Sequence, residues 1–309
     1  MAEELGYTPD PMLSRLAAYR SGEAHAQTGT VLAVLTDVSG ELHPAGRIRI
    51  EGARQRAAEL GYGIEIHRVT DSGQSLRRLT KTLKARGIEG LLVDAVRQAG
   101  SYEGFPWQEF HPVAMGISMQ SLPIPTVFND LFASVREAWQ FVQERGYERP
   151  GLVLRAEGMV EPNRMVLASG LVEQSMMLRK NVIPPFRPES EELSEKLSKR
   201  FVQWFERYRP DVCIGSDAVL RLARENGLSI PKDLAFVAFS LSRGQIGDPA
   251  VAGFHIDLEK AGRLAVELCH LSLERPILKR DSARVIHLIE PEWQEGNSLP
   301  VKPHQRASG

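Results

Sequence analysis

The sequence predicts an α/β protein of two lobes, each a parallel sheet flanked by helices. Three observations carry this. Short apolar runs such as Val31 to Leu35 lack the alternation of a half-solvated strand and suit strands covered on both faces. Segments of helical period alternate with these runs, and several end in glycine, the residue that best accepts a left-handed helix terminus. The alternation runs along the chain twice, in two series of similar length, which argues for two parallel sheets.

In the first series, "GTVLAVLTDVSG" is a strand and "RIRIEGARQRAAELGY" a helix, with Ile50, Ala53, Ala57 and Leu60 on one stripe and Gly61 as its terminator. "GIEIHRV" is a second strand. "SLRRLTKTLKARG" aligns Leu76, Leu79 and Leu83 and stops at Gly87. "IEGLLVDAV", "HPVAMGIS" and "PTVFND" are the third to fifth strands. The helix "LFASVREAWQFVQERGY" turns Leu131, Phe132, Val135, Ala138, Trp139 and Val142 inward and ends at Gly146.

The second series opens with the strand "PGLVLRAEG" and a helix over "NRMVLASGLVEQSMM". The amphipathic "EELSEKLSKRFVQWFERY" follows, with Leu193, Leu197, Phe201, Trp204, Phe205 and Tyr208 inward and Pro210 at its end. "DVCIGS", "LAFVAFS" and "VAGFHID" are strands, and "DAVLRLARENG" and "LEKAGRLAVELCHLSLER" are helices. "ARVIHLIEPEW" reads as one last strand, and the polar, proline-containing tail as loose. The expected boundaries are a leading segment over 1–28, a first lobe over 29–148 plus about 256–278, a second lobe over 149–255 plus about 279–296, and a loose tail over 297–309.

The composition is that of a soluble globular chain: of 309 residues, 42% are hydrophobic and 25% charged, with a net charge of −1. The balance gives no global basic excess of the kind that coats nucleic acid or a membrane surface. Two cysteines, Cys213 and Cys269, stand far apart outside any CxxC spacing. A disulfide framework or zinc site is not expected, and a reducing cytoplasm is. Asp10, Arg15 and Arg20 interrupt the apolar stretch that a signal peptide would need, and no apolar run approaches the length of a membrane span.

Open parallel sheets bind ligands beyond the carboxyl ends of their strands. That rule selects the loops at residues 36–42, 94–97, 116–119, 129–130, 155–164, 216–217 and 240–243, and the cleft between two lobes as the default small-molecule site. Catalytic signatures are absent: no GxSxG, GxxxxGK[ST], HExxH or GxGxxG occurs. The reading is therefore a binding protein rather than an enzyme, with no cofactor and no metal.

The order of the segments resembles the lactose-repressor (LacI/GalR) family of transcription regulators. "LGYTPDPMLSRLAAYRSG" is similar to the end of that family's helix-turn-helix domain and its hinge helix. "TVLAVLTDVSG" followed by "IEGARQRAAELGY" resembles its first strand, loop and helix, and "RGIEGLLVDA" its third-strand entry. "VFNDLFASVREAWQFVQERGYERPGLV", "DVCIGSDAVLRLARENGLSIPKDLAFVAFS" and "VAGFHIDLEKAGRLAVEL" follow in family order and spacing. The resemblance implies a two-lobed periplasmic-binding-protein-like fold and a cytoplasmic, homodimeric regulator. A small effector, a sugar or related metabolite, would bind between the lobes and modulate operator DNA binding. It also implies that the chain starts inside the helix-turn-helix domain, so that the base-reading helix precedes Met1, with a truncated start favoured over a regulator that has lost that module. The alternative is a sugar-binding protein of the same fold that does not bind DNA; it would carry a signal peptide and no hinge.

The resemblance also assigns roles. Leu16 matches the hinge residue that wedges into a minor-groove step, with Arg15 and Arg20 on phosphates; Leu13 and Ser14 replace the family's usual Ala and Arg. Arg164 matches an arginine that holds ligand hydroxyls or a carboxylate, although Gly170 lies further along than in the family pattern. Asp217 follows the strand "DVCIGS" and matches a ligand-binding aspartate, with a helix N-cap as its competing role. Ser240 stands where the family commonly has an aspartate. Asp37, Ser39 and Glu41 occupy the first loop, without the family's Asn-Pro-Phe. Asn129 and Asp130 follow the fifth strand, and Met119 falls near a sugar-reading position. Leu258 occupies a place often held by a stacking aromatic. These departures point to an effector other than an ordinary free sugar, or to a more apolar site.

Overall fold

The protein was analysed as a computed structural model, which describes residues 30–36, 44–69, 73–94, 102–116, 122–154, 160–189, 194–216, 218–241, 247–275 and 285–302. Contacts divide the chain into two compact units. Unit 1 contains β1 (Val31–Thr36), α1 (Pro44–Glu59), β2 (Gly63–Arg68), α2 (Gly73–Ala85), β3 (Gly90–Asp94), β4 (His111–Met115) and β5 (Thr126–Asn129), and later α7 (Leu258–Glu274) and β10 (Ile286–Ile289). Unit 2 contains α3 (Leu131–Glu144), β6 (Pro150–Leu152), α4 (Val160–Ser175), α5 (Glu195–Tyr208), β7 (Val212–Gly215), α6 (Ala218–Glu225), β8 (Ala235–Ala238), β9 (Gly253–His255) and β11 (Glu292–Gln294).

The unit 1 sheet runs β10-β5-β4-β3-β1-β2 and the unit 2 sheet β11-β9-β8-β7-β6 among the described residues. The β1–β2, β1–β3, β3–β4, β6–β7 and β7–β8 pairs are parallel, as the unbroken apolar runs predict. Every residue of β3, β7 and β8 is buried, because helices cover both faces. In unit 2 a parallel bridge from Val153 to Phe186 extends the sheet beyond β6. Phe186 N–H donates to the Leu152 carbonyl at 2.8 Å, and Leu154 N–H to the Phe186 carbonyl at 3.0 Å. Both sheets therefore have the same order. The second chain segment lies outside the first, and the third lies on the first strand's other side.

Three predicted helix ends hold: Gly61, Gly87 and Gly146 have φ of 79°, 65° and 81°. In unit 1, α1 and α7 pack backbone against backbone. A Cβ on Gly262 would lie 1.8 Å from the Arg49 carbonyl oxygen, and one on Gly52 would lie 2.2 Å from the Glu259 carbonyl oxygen. Unit 2 is built around Trp139, which is fully buried with Val135, Leu152, Val166 and Phe254.

Four expectations are corrected. The break between units falls at Phe128–Asn129 rather than 148–149, because the apolar face of α3 completes the unit 2 core. The later passages follow Asp257 and Leu288, against expected breaks near 256 and 278–279. "ARVIHLIEPEW" is not one strand. It divides around Glu290 and Pro291 into β10 in the first sheet and β11, antiparallel to β9, in the second; a proline without an N–H suits the break. Residues 297–302 are not loose. Ser298 and Leu299 are buried. Ser298 Oγ donates to the Phe236 carbonyl and accepts from Ala252 N–H, both at 2.8 Å, and Phe236 N–H donates to the Ser298 carbonyl at 2.8 Å. Tyr147 Oη donates to the Pro300 carbonyl at 2.8 Å. Lys302 Nζ reaches Asp211 at 2.6 Å, whose carboxylate also accepts from Glu148 and Arg149 N–H. A short polar segment is fixed here by pairing buried backbone that would otherwise lack partners.

Two predictions follow from this packing. Gly262→Ala forces α7 off the α1 backbone and lowers unfolding free energy by roughly 1–3 kcal/mol, measurable by urea denaturation. Both cysteines are buried. Burial pushes the Cys269 thiol from its usual 9.0 up to about 12 and raises that of Cys213 further, with the nearby Asp211 charge adding to it. The folded chain therefore keeps these protons when the unfolded chain has lost them. Stability falls as pH rises from about 9 towards about 12, and neither thiol reacts with a disulfide reagent near pH 8 until the chain is unfolded.

Candidate functional site

In a doubly wound sheet of this order, the crevice opens where strand order reverses, between the first and third strands at their carboxyl ends. In unit 1 that point is flanked by Thr36, the last residue of β1, and Asp94, the last residue of β3. In unit 2 it is flanked by Leu154, just beyond β6, and Ser216, just beyond β7. All four are buried.

Asp37, Ser39 and Glu41 follow Thr36 directly in sequence, and Asp217 follows Ser216. These four, with Met119 and the hinge residues Leu13, Ser14, Arg15, Leu16 and Arg20, lie outside the described residues. Among the described residues, β1 and β7 each end beside the reversal point of their own unit. The Ser216 carbonyl accepts from Val219 N–H at 3.0 Å and so closes the first turn before α6.

The remaining candidates have definite surroundings. Arg164 lies on the exposed side of α4, five residues into the helix that follows β6. Ser240 is half-buried, two residues beyond β8, after the Phe239 N–H that donates to the Gly215 carbonyl at 3.2 Å. Leu258 is the first residue of α7 and half-buried. Asn129 and Asp130 have backbone partners. Asn129 Nδ2 donates to the Asp257 carbonyl at 3.3 Å. Asp130 Oδ1 caps α3 by accepting from Ala133 N–H at 2.9 Å, and its N–H donates to the Ile289 carbonyl at 2.9 Å. The chain passes between units after Phe128, Asp257 and Leu288. These two residues thus tie together the three unit 2 segments that adjoin the passages. A sequence pattern shows a polar pair after a strand; it does not show that the pair joins segments more than a hundred residues apart.

The sequence reading missed a buried ion pair. Arg49 of α1 donates through Nε to Asp94 Oδ1 at 2.8 Å, and a terminal guanidinium nitrogen forms an ion pair with the same oxygen at 2.7 Å. Arg49 and Asp94 are 7% and 3% exposed. Removing one partner from such a pair strands a buried charge, at a cost of about 3–5 kcal/mol. The available signal was an aspartate closing an otherwise apolar strand, at a strand end where ligands bind.

Among the described residues, no group of three or more His, Cys, Asp or Glu side chains is arranged to hold a metal ion, and no helix is long and apolar enough to cross a membrane. The two imidazoles near α7 are engaged in packing. His111 Nδ1 lies 2.7 Å from Ser272 Oγ, and His270 Nδ1 lies 2.9 Å from Tyr62 Oη.

Residues 140–298 match the family model of the periplasmic binding protein-like domain. The chain is 24% identical over 275 residues to the HTH-type transcriptional repressor CytR of Escherichia coli K12, covering 86% of this chain and 77% of that protein. Among solved structures, a regulatory protein of the LacI family from Chloroflexus aggregans superposes with a TM-score of 0.66 at 18% identity, covering 86% of this chain and 98% of that one. A LacI family transcriptional regulator from Enterococcus faecium, with bound ribose, superposes with a TM-score of 0.64 at 12% identity, covering 89% and all of that chain (100%). The apolar parallel sheets, the twice-repeated strand order and the family match over half the chain lead to one assignment: this chain belongs to the periplasmic binding protein-like domain family.

Proposed function

We propose that the chain is the effector-sensing part of a DNA-binding transcription regulator. A small metabolite, a sugar or a relative of one, engages the loops at the carboxyl ends of the strands in both units. Its binding favours one arrangement of the units over another and so changes operator affinity through the segment 1–28. The regulator acts as a homodimer on a two-fold operator. No cofactor or chemical step is part of this reading.

The observation that carries it is the repeated strand order, which gives each unit its own reversal point; Asp37 and Asp217 follow β1 and β7 closely in sequence. The ribose bound to the Enterococcus faecium relative supports the ligand class. Within the proposed site, Asp37, Ser39, Glu41, Asp217 and Ser240 supply hydrogen-bonding groups, Arg164 a guanidinium fork, and Leu258 an apolar contact. Asn129 and Asp130 act at one remove, by holding the passages on which such a rearrangement turns. A solute-binding protein that does not bind DNA has the same fold and is the second reading; the family description favours it, and the similarity to a transcriptional repressor at 77% coverage of that protein favours the first.

A melting-temperature screen against sugars, sugar acids and nucleosides tests the effector claim, since a ligand that binds only the folded chain raises the transition. At least one class is expected to raise it; no shift with any of them removes the effector claim. With the ligand so found, Asp217→Ala and Arg164→Ala are each expected to weaken binding by roughly 1.5–3 kcal/mol in calorimetric titrations, and wild-type affinity would remove that residue from the site. For the DNA claim, Leu16→Ala in a chain joined to its helix-turn-helix module is expected to lower operator affinity several-fold and reduce the DNA bend, read by gel mobility.

A further inference from the structure

The Arg49–Asp94 pair lies where unit 1 is expected to meet a ligand, yet the site residues named above do not include it. Asp94 ends β3 at the strand reversal, one register step beyond the Leu35–Val93 pair and opposite Met115 of β4. Thr36 and Met115 beside it are fully buried. The Arg49 Nε hydrogen bond and the 2.7 Å ion-pair contact of its terminal nitrogen are both to Oδ1. No hydrogen bond from the described residues reaches Oδ2. A Cβ at position 46 would stand 2.6 Å from Oδ2, so the first turn of α1 comes this close because Gly46 has no side chain.

A paired charge inside a fold is weak evidence of a stabilising role, since apolar residues of similar volume often serve as well or better. An ionised carboxylate offers acceptor sites on both oxygens, and here Arg49 engages only one. Arg49 also offsets the carboxylate charge and holds the side chain in one orientation, so Oδ2 is a preorganised acceptor. A hydroxyl donor fits that oxygen, whereas a ligand carboxylate would set one anionic oxygen against another.

We propose that Asp94 is a specificity-determining residue of the effector site. Its Oδ2 accepts a hydrogen bond from a hydroxyl of an uncharged polyhydroxy ligand, and Arg49 is the positioning residue that keeps this oxygen turned to the ligand. The proposal rests on the effector reading above.

The test uses the whole chain with D-ribose, D-glucose, cellobiose, the corresponding aldonates, and the four common ribonucleosides as probes. Neutral probes are expected to raise the melting temperature and the aldonates to leave it unchanged. For the tightest neutral probe, Asp94→Asn is expected to weaken binding at least tenfold, because Arg49 retains the amide oxygen and leaves an N–H2 donor where Oδ2 accepted. The paired variant Asp94→Leu with Arg49→Met removes both charges. It is expected to melt near the wild type and still bind at least tenfold more weakly, a separation that a purely structural pair would not produce. Wild-type affinity in either Asp94→Asn or the paired variant, or tightest binding by an aldonate, overturns the proposal and leaves the effector reading standing. A wild-type chain that binds no probe overturns both.

Discussion

The backbone contact between α1 and α7 is the constraint on which unit 1 depends. Gly52 and Gly262 bring two helices that are some two hundred residues apart in sequence into carbonyl contact. That approach fixes the rotation of α1 about its axis, and with it the direction in which Arg49 points. Arg49 then meets Asp94 inside the unit, while Arg56 and Glu59 on the outer side meet Glu267 and Arg263 of α7. The outer pairs are more exposed and contribute little; the inner one is buried at the end of a central strand, where substitution is costly. Because α7 begins at Leu258, immediately after a passage between units, the same contact also anchors one of the segments on which any rearrangement would turn.

Much of this was legible in the sequence because it rests on local rules. Val31 to Leu35 and Leu91 to Val93 are apolar without alternation, and they are the interior of a parallel sheet. Gly61, Gly87 and Gly146 end helices where φ must be positive. What escaped reading depended on partners far away in the chain. Arg49 sits beside Ile50 on a helix whose composition suggests a solvated flank, and only Asp94, 45 residues on, makes it a buried residue. The polar tail resembles a linker in composition, but its carbonyls and hydroxyl complete the edge of β8 and the end of α3. The apolar run of β10 and the aromatic of β11 look continuous, yet they belong to different sheets.

The candidate site was legible by class more than by residue. Strand ends follow from topology, so the ends of β1 and β7 are fixed, while Asp37 and Asp217 themselves lie outside the described residues. Asn129 and Asp130 show the limit of that rule. A polar pair at a strand end serves a ligand or the chain's own backbone equally well, and here backbone groups take the Asn129 amide and one Asp130 oxygen. Asp94 shows the converse: it reads as the last residue of an apolar strand, and among the described residues the hydrogen bond to its carboxylate is the one from Arg49 to Oδ1.

The segment 297–302 also bears on how the protein is made. Unit 2 takes its sheet edge and the clasp around Asp211 from the last described residues, and unit 1 takes α7 and β10 from beyond residue 257. Neither unit is complete while its first part leaves the ribosome. Completion of both units therefore waits for residues that come late in this sequence, in contrast to proteins whose domains finish one after another from the N-terminus.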